Sequence, residues 1–223
     1  MNFKMNIKQR LQQLKSVLPK HVTLVAVSKT KPVDDLMEAY HAGQRIFGEN
    51  KIQEMAEKYQ QMPKDIQWHM IGHVQTNKVK YMAPFVDLIH GVDRLKLLNE
   101  INKQAQKHSR CIDCLLQIKI AEEDSKFGMT TNDAENLLKS SAFKDLKNIK
   151  IVGVMGMASF TNDTDQIRTE FNTLKSTFDL LKNTEQQMHI VSMGMSGDYP
   201  LAIDCGSTMI RVGSHIFGAR NYS

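Results

Sequence analysis

Residues 22–43 read VTLVAVSKTKPVDDLMEAYHAG, and this stretch shows the unit from which the chain is built. Its first part, VTLVAVSK (22–29), is an apolar, β-branched run that predicts a buried strand. Pro32 lies where a helix can begin, and Gly43 follows the last residue of the helical pattern. The stretch therefore predicts one strand followed by one helix.

The same alternation continues to the end of the chain. Seven further segments read as strands, each followed by helical or turn-forming sequence: RIFGEN (45–50), QWHMIG (67–72), VDLIHGV (86–92), CLLQIKI (114–120), IKIVGVMGM (149–157), HIVSMGM (189–195) and TMIRVGSHIFG (208–218). Strands that alternate with helices form parallel sheets, and eight of them favour a closed barrel over an open doubly wound sheet, which is the alternative. We expect an α/β fold, a single (β/α)8 TIM-type barrel with an additional N-terminal helix, in which residues 1–223 form one domain.

Composition narrows the classes of function. The 223 residues carry a net charge of +5, but the lysines are scattered, so we expect no nucleic-acid partner. No run of about 18 apolar residues exists, and the N-terminus lacks the apolar segment of a secretion signal, so we expect a cytoplasmic protein without a membrane partner. Three cysteines, with one CxxC spacing on a predicted strand, indicate neither a disulfide framework nor a zinc site.

Active sites of such barrels lie at the C-terminal ends of the strands, and Lys29 lies there after the first strand. Lys29 follows Val25 and Val27 at intervals of two residues, so all three side chains should face the same side of the strand. If that side is the barrel interior, partial desolvation makes the amine a usable nucleophile. The alternative is a lysine that closes the strand and reaches into water.

Two segments contain both glycine and serine: predicted strand 7 ends in SMGMSGD (192–198), and predicted strand 8 carries RVGSHIFG (211–218). Loops after strands 7 and 8 often bind phosphate in these barrels, since glycine lets backbone N–H groups approach an anion. Ordinary turn chemistry is the alternative. A lysine opposite a phosphate site suits a phosphorylated aldehyde, either pyridoxal 5'-phosphate (PLP) or an aldolase substrate.

His69 and His73 lie four residues apart, which would suit a metal on a helix. Here they lie on a predicted strand and in its loop, so we expect packing or a hydrogen bond in the pocket, and no metal.

The sequence resembles the YggS/PROSC family of PLP homeostasis proteins, whose fold is similar to the N-terminal barrel of alanine racemase. The matching stretches span nearly the whole chain in order: LVAVSKTKP (24–32), AGQRIFGENKIQE (42–54), WHMIGHVQTNK (68–78), VDRL (92–95), SKFGM (125–129), GVMGM (153–157), SMGMSGDYPLAI (192–203) and GSTMIRVGSHIFGAR (206–220).

The resemblance implies a role for each matched residue. Lys29 would hold PLP as a Schiff base, Arg211 would face the pyridine nitrogen, and Asn50 would lie beside the cofactor. It further implies that Ser192 or Ser196, with Gly213 and Ser214, holds the phosphate. Met193 and Gly194 complete the expected cofactor-binding set.

An arginine beside the pyridine nitrogen opposes its protonation, which weakens the ring as an electron sink. Racemisation also needs a second base, which racemases take from another domain. We therefore expect a protein of intracellular PLP homeostasis without strong catalytic activity. A PLP-dependent amino-acid racemase of low activity is the alternative, and a phosphosugar-type Schiff-base barrel is a third reading. Expected partners are PLP and PLP-requiring apo-enzymes, and we expect a monomer.

Overall fold

The computed structural model describes residues 5–122 and 127–218, and in them eight parallel strands close into a barrel. Each strand pairs with its neighbour in chain order, and the last pairs with the first through registers such as Val25 with Arg211. The strands are Thr23–Val27 (β1), Ile46–Glu49 (β2), Gln67–Met70 (β3), Val86–Val92 (β4), Ile112–Gln117 (β5), Ile149–Met155 (β6), Ile190–Ser192 (β7) and Met209–Val212 (β8).

Helices surround the barrel and connect its strands. The α-helices within the described ranges are Ile7–Val17 (α1), Val33–His41 (α2), Ile52–Gln61 (α3), Val79–Met82 (α4), Leu95–Lys107 (α5), Thr131–Lys139 (α6), Ser141–Lys144 (α7), Thr164–Lys182 (α8), Tyr199–Asp204 (α9) and Ser214–Phe217 (α10). A short 3-10 helix, Thr76–Lys78, precedes α4. The predicted (β/α)8 barrel with an extra N-terminal helix is confirmed.

The predicted ends of the last two strands were wrong. Strand 7 was expected over 189–195, but Gly194 has a φ of +95° and extended pairing stops at Ser192. Strand 8 was expected to run to residue 218, but the chain enters the right-handed helical region at Gly213 and continues as α10. Apolar Ile216 and Phe217 made this helix look like strand in the sequence, because a short buried helix has the same composition.

Two layers of apolar side chains build the core. The larger fills the space between the helices and the outer face of the barrel, with Phe47, Trp68 and Leu116 fully buried. The smaller lies inside the barrel and consists of Val25, Leu88, Leu115, Val152, Met155 and Met209. Because side chains alternate along a strand, the residues two positions further on face the same interior, closer to the strands' C-terminal ends.

Within the described ranges, none of the helices has both the length and the apolar character that crossing a membrane requires.

Candidate functional site

A cavity of about 790 Å³ opens at the C-terminal ends of the barrel strands. Its walls come from segments that follow strands on opposite sides of the barrel. Among the described lining residues, Lys29, Lys31 and Arg211 are cationic and Asp198 alone carries a carboxylate. A cavity with this excess of positive groups favours an anionic ligand.

Lys29 lies two residues beyond β1 and is half-buried in this cavity wall. Val25 belongs to the apolar cluster inside the barrel and Val27 lines the cavity below Lys29. The alternation predicted from the sequence therefore places the Lys29 side chain on the interior side. The next residue, Thr30, has a φ of 63°, which turns the chain sharply towards α2.

A buried ion-pair cluster holds the backbone on both sides of Lys29. Lys58 Nζ donates to the Ser28 carbonyl at 2.8 Å and to the Glu49 and Glu54 carboxylates at 2.7 Å each. Ser28 Oγ donates to Glu49 at 2.6 Å, and the Thr30 N–H donates to Glu54 at 2.6 Å. Burial raises the pKa of Glu49 in spite of the adjacent ammonium. The cluster thus fixes Ser28 and Thr30, and with them the point from which Lys29 extends.

Polar groups that follow β7 and β8 form the opposite wall. Ser196, Gly213 and Ser214 all line the cavity, and the Gly213 N–H donates a long hydrogen bond of 3.4 Å to Ser196 Oγ. A side chain at Gly213 would come within 3.0 Å of the Val27 carbonyl oxygen, so glycine is what allows this backbone to lie against β1. Two hydroxyls and a close backbone N–H are suitable donors for a phosphate group.

Arg211 forms part of the cavity floor and is only 4% exposed. Its Nη1 donates to Ser192 Oγ at 2.6 Å and its Nη2 to the Gly156 carbonyl at 3.1 Å. Burial lowers the pKa of Arg211 to about 10, and the charge of Asp198 partly offsets this effect. The guanidinium is therefore still a cation at neutral pH, held in one orientation.

Two buried histidines continue this floor into the barrel. His90 Nδ1 lies 3.1 Å from Ser192 Oγ, and His90 Nε2 lies 3.1 Å from His69 Nδ1. Burial lowers the pKa of His69 to about 3. Burial, with smaller contributions from His69 and Arg211, holds the pKa of His90 well below its usual value. Both rings are neutral at physiological pH. In the described residues, no group of three or more His, Cys, Asp or Glu side chains could hold a metal ion.

The cavity unites six of the nine residues expected from the sequence: Lys29, Asn50, Ser196, Arg211, Gly213 and Ser214. Ser192, Met193 and Gly194 are buried and do not belong to the cavity lining. Met193 packs in the apolar layer outside the barrel, whereas Ser192 is linked to the cavity by its hydrogen bond from Arg211. Of the two serines left open for the phosphate, Ser196 is the one on the cavity wall. Lys126, in the matching stretch SKFGM (125–129), lies outside the described residues.

Sequence reasoning missed two residues that support the site, Lys58 and His90. His90 lies two residues after Leu88, whose side chain faces the barrel interior, so VDLIHGV could have revealed a polar side chain inside the barrel. Lys58 lies three residues after Met55 on the apolar face of α3, which marks it as a buried lysine.

Together the fold and the site define a (β/α)8 barrel with a lysine, an anion-binding wall and a buried arginine around one cavity. Residues 4–221 match the family described as alanine racemase, N-terminal domain. The pyridoxal phosphate homeostasis protein of Pasteurella multocida is 40% identical over 98% of this chain and 94% of its own length. The chain therefore belongs to the alanine racemase N-terminal domain family, among the pyridoxal phosphate homeostasis proteins, which confirms the resemblance seen in the sequence.

Solved structures agree with this assignment. PipY of Synechococcus elongatus without PLP has a TM-score of 0.90 at 34% identity, covering 96% of this chain and 100% of PipY. PipY with PLP bound has a TM-score of 0.87 at 33% identity over the same shares. Alanine racemase of Clostridium difficile shares the fold, with a TM-score of 0.81 at 14% identity over 98% of this chain and 58% of the racemase.

Proposed function

We propose that this chain binds PLP in the cavity, covalently through Lys29, and takes part in the intracellular homeostasis of this cofactor without strong catalytic activity. The observation that carries the proposal is that Lys29, the polar wall of Ser196, Gly213 and Ser214, and the Arg211 guanidinium line one cavity. A relative that is 33% identical over 96% of this chain has been solved with PLP bound.

Each group of the cavity matches one part of PLP. PLP supplies an aldehyde that condenses with a primary amine with loss of water, and a phosphorylated pyridine ring that can delocalise electrons. Lys29 Nζ is the amine on the β1 side. Ser196 and Ser214 hydroxyls with the Gly213 N–H bind the phosphate, while Asn50 forms the side wall next to Lys29. Ser192 and Gly194 support Arg211, since Ser192 Oγ accepts from its Nη1 at 2.6 Å and the Gly194 carbonyl from its backbone N–H at 2.9 Å. Met193 packs behind them in the outer core.

Arg211 is the reason we propose a carrier rather than an enzyme. A permanently charged guanidinium against the ring nitrogen disfavours a second positive charge there, so the nitrogen stays unprotonated and the ring withdraws electrons weakly. Two-base racemisation also needs a second base, which the racemases supply as a tyrosine. Among the described tyrosines none lines the cavity: Tyr199 packs at the edge of His215, and Tyr81 is 52% exposed.

The covalent site is tested by reduction with borohydride after incubation with PLP, followed by peptide mass spectrometry. The wild-type protein should carry the reduced adduct on Lys29, and Lys29→Ala should carry none. Lys31→Ala is the matched control, since Lys31 lines the same cavity and donates to the Phe217 carbonyl at 3.2 Å. An adduct on another lysine, with Lys29 unmodified in the wild-type protein, would refute the assignment.

Four further assays address the rest of the proposal. Transfer of PLP from the loaded protein to a PLP-requiring apo-enzyme should restore that enzyme's activity, while Lys29→Ala should transfer none. Conversion of L-alanine to D-alanine should not exceed the rate with free PLP, and a clear excess would favour the racemase alternative. We also propose that the protein is a monomer and works in the cytoplasm, which light scattering and cell fractionation test.

A further inference from the structure

Four buried polar side chains form a continuous row across the barrel interior. Arg211 Nη1 donates to Ser192 Oγ at 2.6 Å, Ser192 Oγ lies 3.1 Å from His90 Nδ1, and His90 Nε2 lies 3.1 Å from His69 Nδ1. Ser192 and His90 are fully buried, and Arg211 and His69 nearly so. Of the four, Arg211 is the member that lines the cavity, so the row has one end at the proposed ligand site.

The direction of these hydrogen bonds follows from the donors available. A guanidinium can only donate, so Ser192 Oγ accepts from Arg211, and the serine hydroxyl hydrogen needs its own acceptor. His90 Nδ1 is the partner on that side, which places the His90 proton on Nε2. His90 Nε2 then donates to His69 Nδ1. Every proton between Arg211 and His69 is used once in this arrangement, and both histidines are neutral.

The polar row is costly to bury, which argues that it does more than fill space. The adjacent layer of the same interior is filled by apolar side chains, including Val25, Leu88 and Leu115. Apolar residues could fill the His69 and His90 positions as well, and they would avoid the desolvation of two imidazoles. A fully satisfied buried network instead fixes a single geometry, and this one ends on the guanidinium in the cavity floor.

We propose that His90 is a positioning residue for Arg211. As a neutral acceptor of the Ser192 hydroxyl it turns the serine lone pairs towards Arg211, and His69 fixes the His90 tautomer in which this is possible. The guanidinium is thereby held as a rigid donor to a ring atom that must accept a hydrogen bond. That the ring is the pyridine of PLP rests on the proposed function. The row of hydrogen bonds from Arg211 to His69 is observed independently of it.

A pair of substitutions at residue 90 tests the proposal. His90→Phe keeps an aromatic ring and removes both hydrogen bonds, whereas His90→Asn keeps an amide oxygen able to accept from Ser192. The measured quantities are the rate of PLP release to a trapping apo-enzyme and the position of the visible absorption band. His90→Phe should retain the covalent label on Lys29 but release PLP about tenfold faster, because a misaligned Arg211 guanidinium weakens its own charge-assisted hydrogen bond to the ring. Its band should also shift.

His90→Asn should restore the release rate and the band to near wild type, which a purely structural role for the imidazole does not predict. Ser192→Ala, which removes one hydroxyl, should reproduce His90→Phe and provides the test if that variant does not fold. The proposal would be overturned if Ser192→Ala, and His90→Phe where it folds, released PLP at the wild-type rate and kept the wild-type absorption band.

Ligand-free protein separates this inference from the proposed function. Exchange of the Arg211 guanidinium protons with solvent, followed by ¹⁵N NMR, should accelerate in His90→Phe or Ser192→Ala and stay slow in His90→Asn. If the wild-type protein does not bind PLP, the proposed function fails and this measurement still decides the positioning role. Equal exchange in the wild type, His90→Phe and Ser192→Ala would end it.

Discussion

Lys58 donates to the Glu49 carboxylate at 2.7 Å, and this ion pair is buried: the Glu49 side chain is 0% exposed and the Lys58 side chain 7%. The same ammonium contacts Glu54 and the Ser28 carbonyl, so the pair lies directly behind the backbone that carries Lys29. Removing one partner of a buried ion pair leaves the other charge without compensation, which costs more than the pair itself contributes.

Lys58→Met should therefore destabilise the protein by about 3–5 kcal/mol, measured as the free energy of unfolding in urea. The double variant Glu49→Gln with Lys58→Met should recover part of this loss, since it leaves no buried charge at residue 49. Lys139→Met is the matched control, because Lys139 forms an exposed pair with Glu135 at 2.6 Å and such pairs contribute about 0.5 kcal/mol. A loss below about 1 kcal/mol in Lys58→Met would show that Glu49 does not depend on the ammonium.

The buried histidines should make the protein less stable as the pH falls. The unfolded chain protonates histidine near pH 6.5, whereas burial holds the pKa of His69 at about 3 in the folded state. Between these values the unfolded state binds more protons, so each neutral histidine lowers stability by up to about 1.4 kcal/mol per unit of falling pH. The raised pKa of Glu49 acts in the opposite direction, because the folded state takes up this proton before the unfolded state does.

Comparing the wild type with His69→Gln isolates the histidine contribution, since Glu49 is the same in both. Urea unfolding between pH 7 and pH 5 should show a shallower loss of stability in His69→Gln. The surface variant His41→Gln, in which an exposed ring at the end of α2 is replaced, controls for the substitution itself. Identical slopes in the wild type and His69→Gln would mean that His69 takes up a proton in the folded protein.

The fold could be predicted from the sequence because its signals are local. Apolar runs such as VTLVAVSK and the helical pattern after each of them are read within one segment, and alternation alone places Lys29 on the same side as Val25 and Val27. The end of strand 8 was not predictable in this way, because residues 214–217 have the composition of a strand and form a helix.

The supporting residues of the site depend on contacts between distant parts of the chain. The row from His69 to Arg211 joins four strands, β3, β4, β7 and β8, so no single segment contains it. Likewise, whether Ser192 or Ser196 lies on the cavity wall depends on where β7 ends, and the positive φ of Gly194 decides that. The sequence predicted which residue types the site contains, but only the closed barrel shows which of them meet.

Gly213 should be more sensitive to substitution than another glycine of the same cavity. A Cβ at Gly213 would lie 3.0 Å from the Val27 carbonyl oxygen, so the backbone between β8 and α10 would have to move away from β1. That backbone carries the N–H next to Ser196 in the proposed phosphate wall, so Gly213→Ala should weaken PLP binding about tenfold, a typical effect of overpacking. Gly197→Ala is the control, since a Cβ there meets no atom within 4 Å and Gly197 also lines the cavity.

Fluorescence titration with PLP and with pyridoxal, which lacks the phosphate, shows whether the lost affinity comes from the phosphate contact. The loss in Gly213→Ala should be large for PLP and small for pyridoxal. Equal losses for both ligands would place the phosphate elsewhere in the cavity.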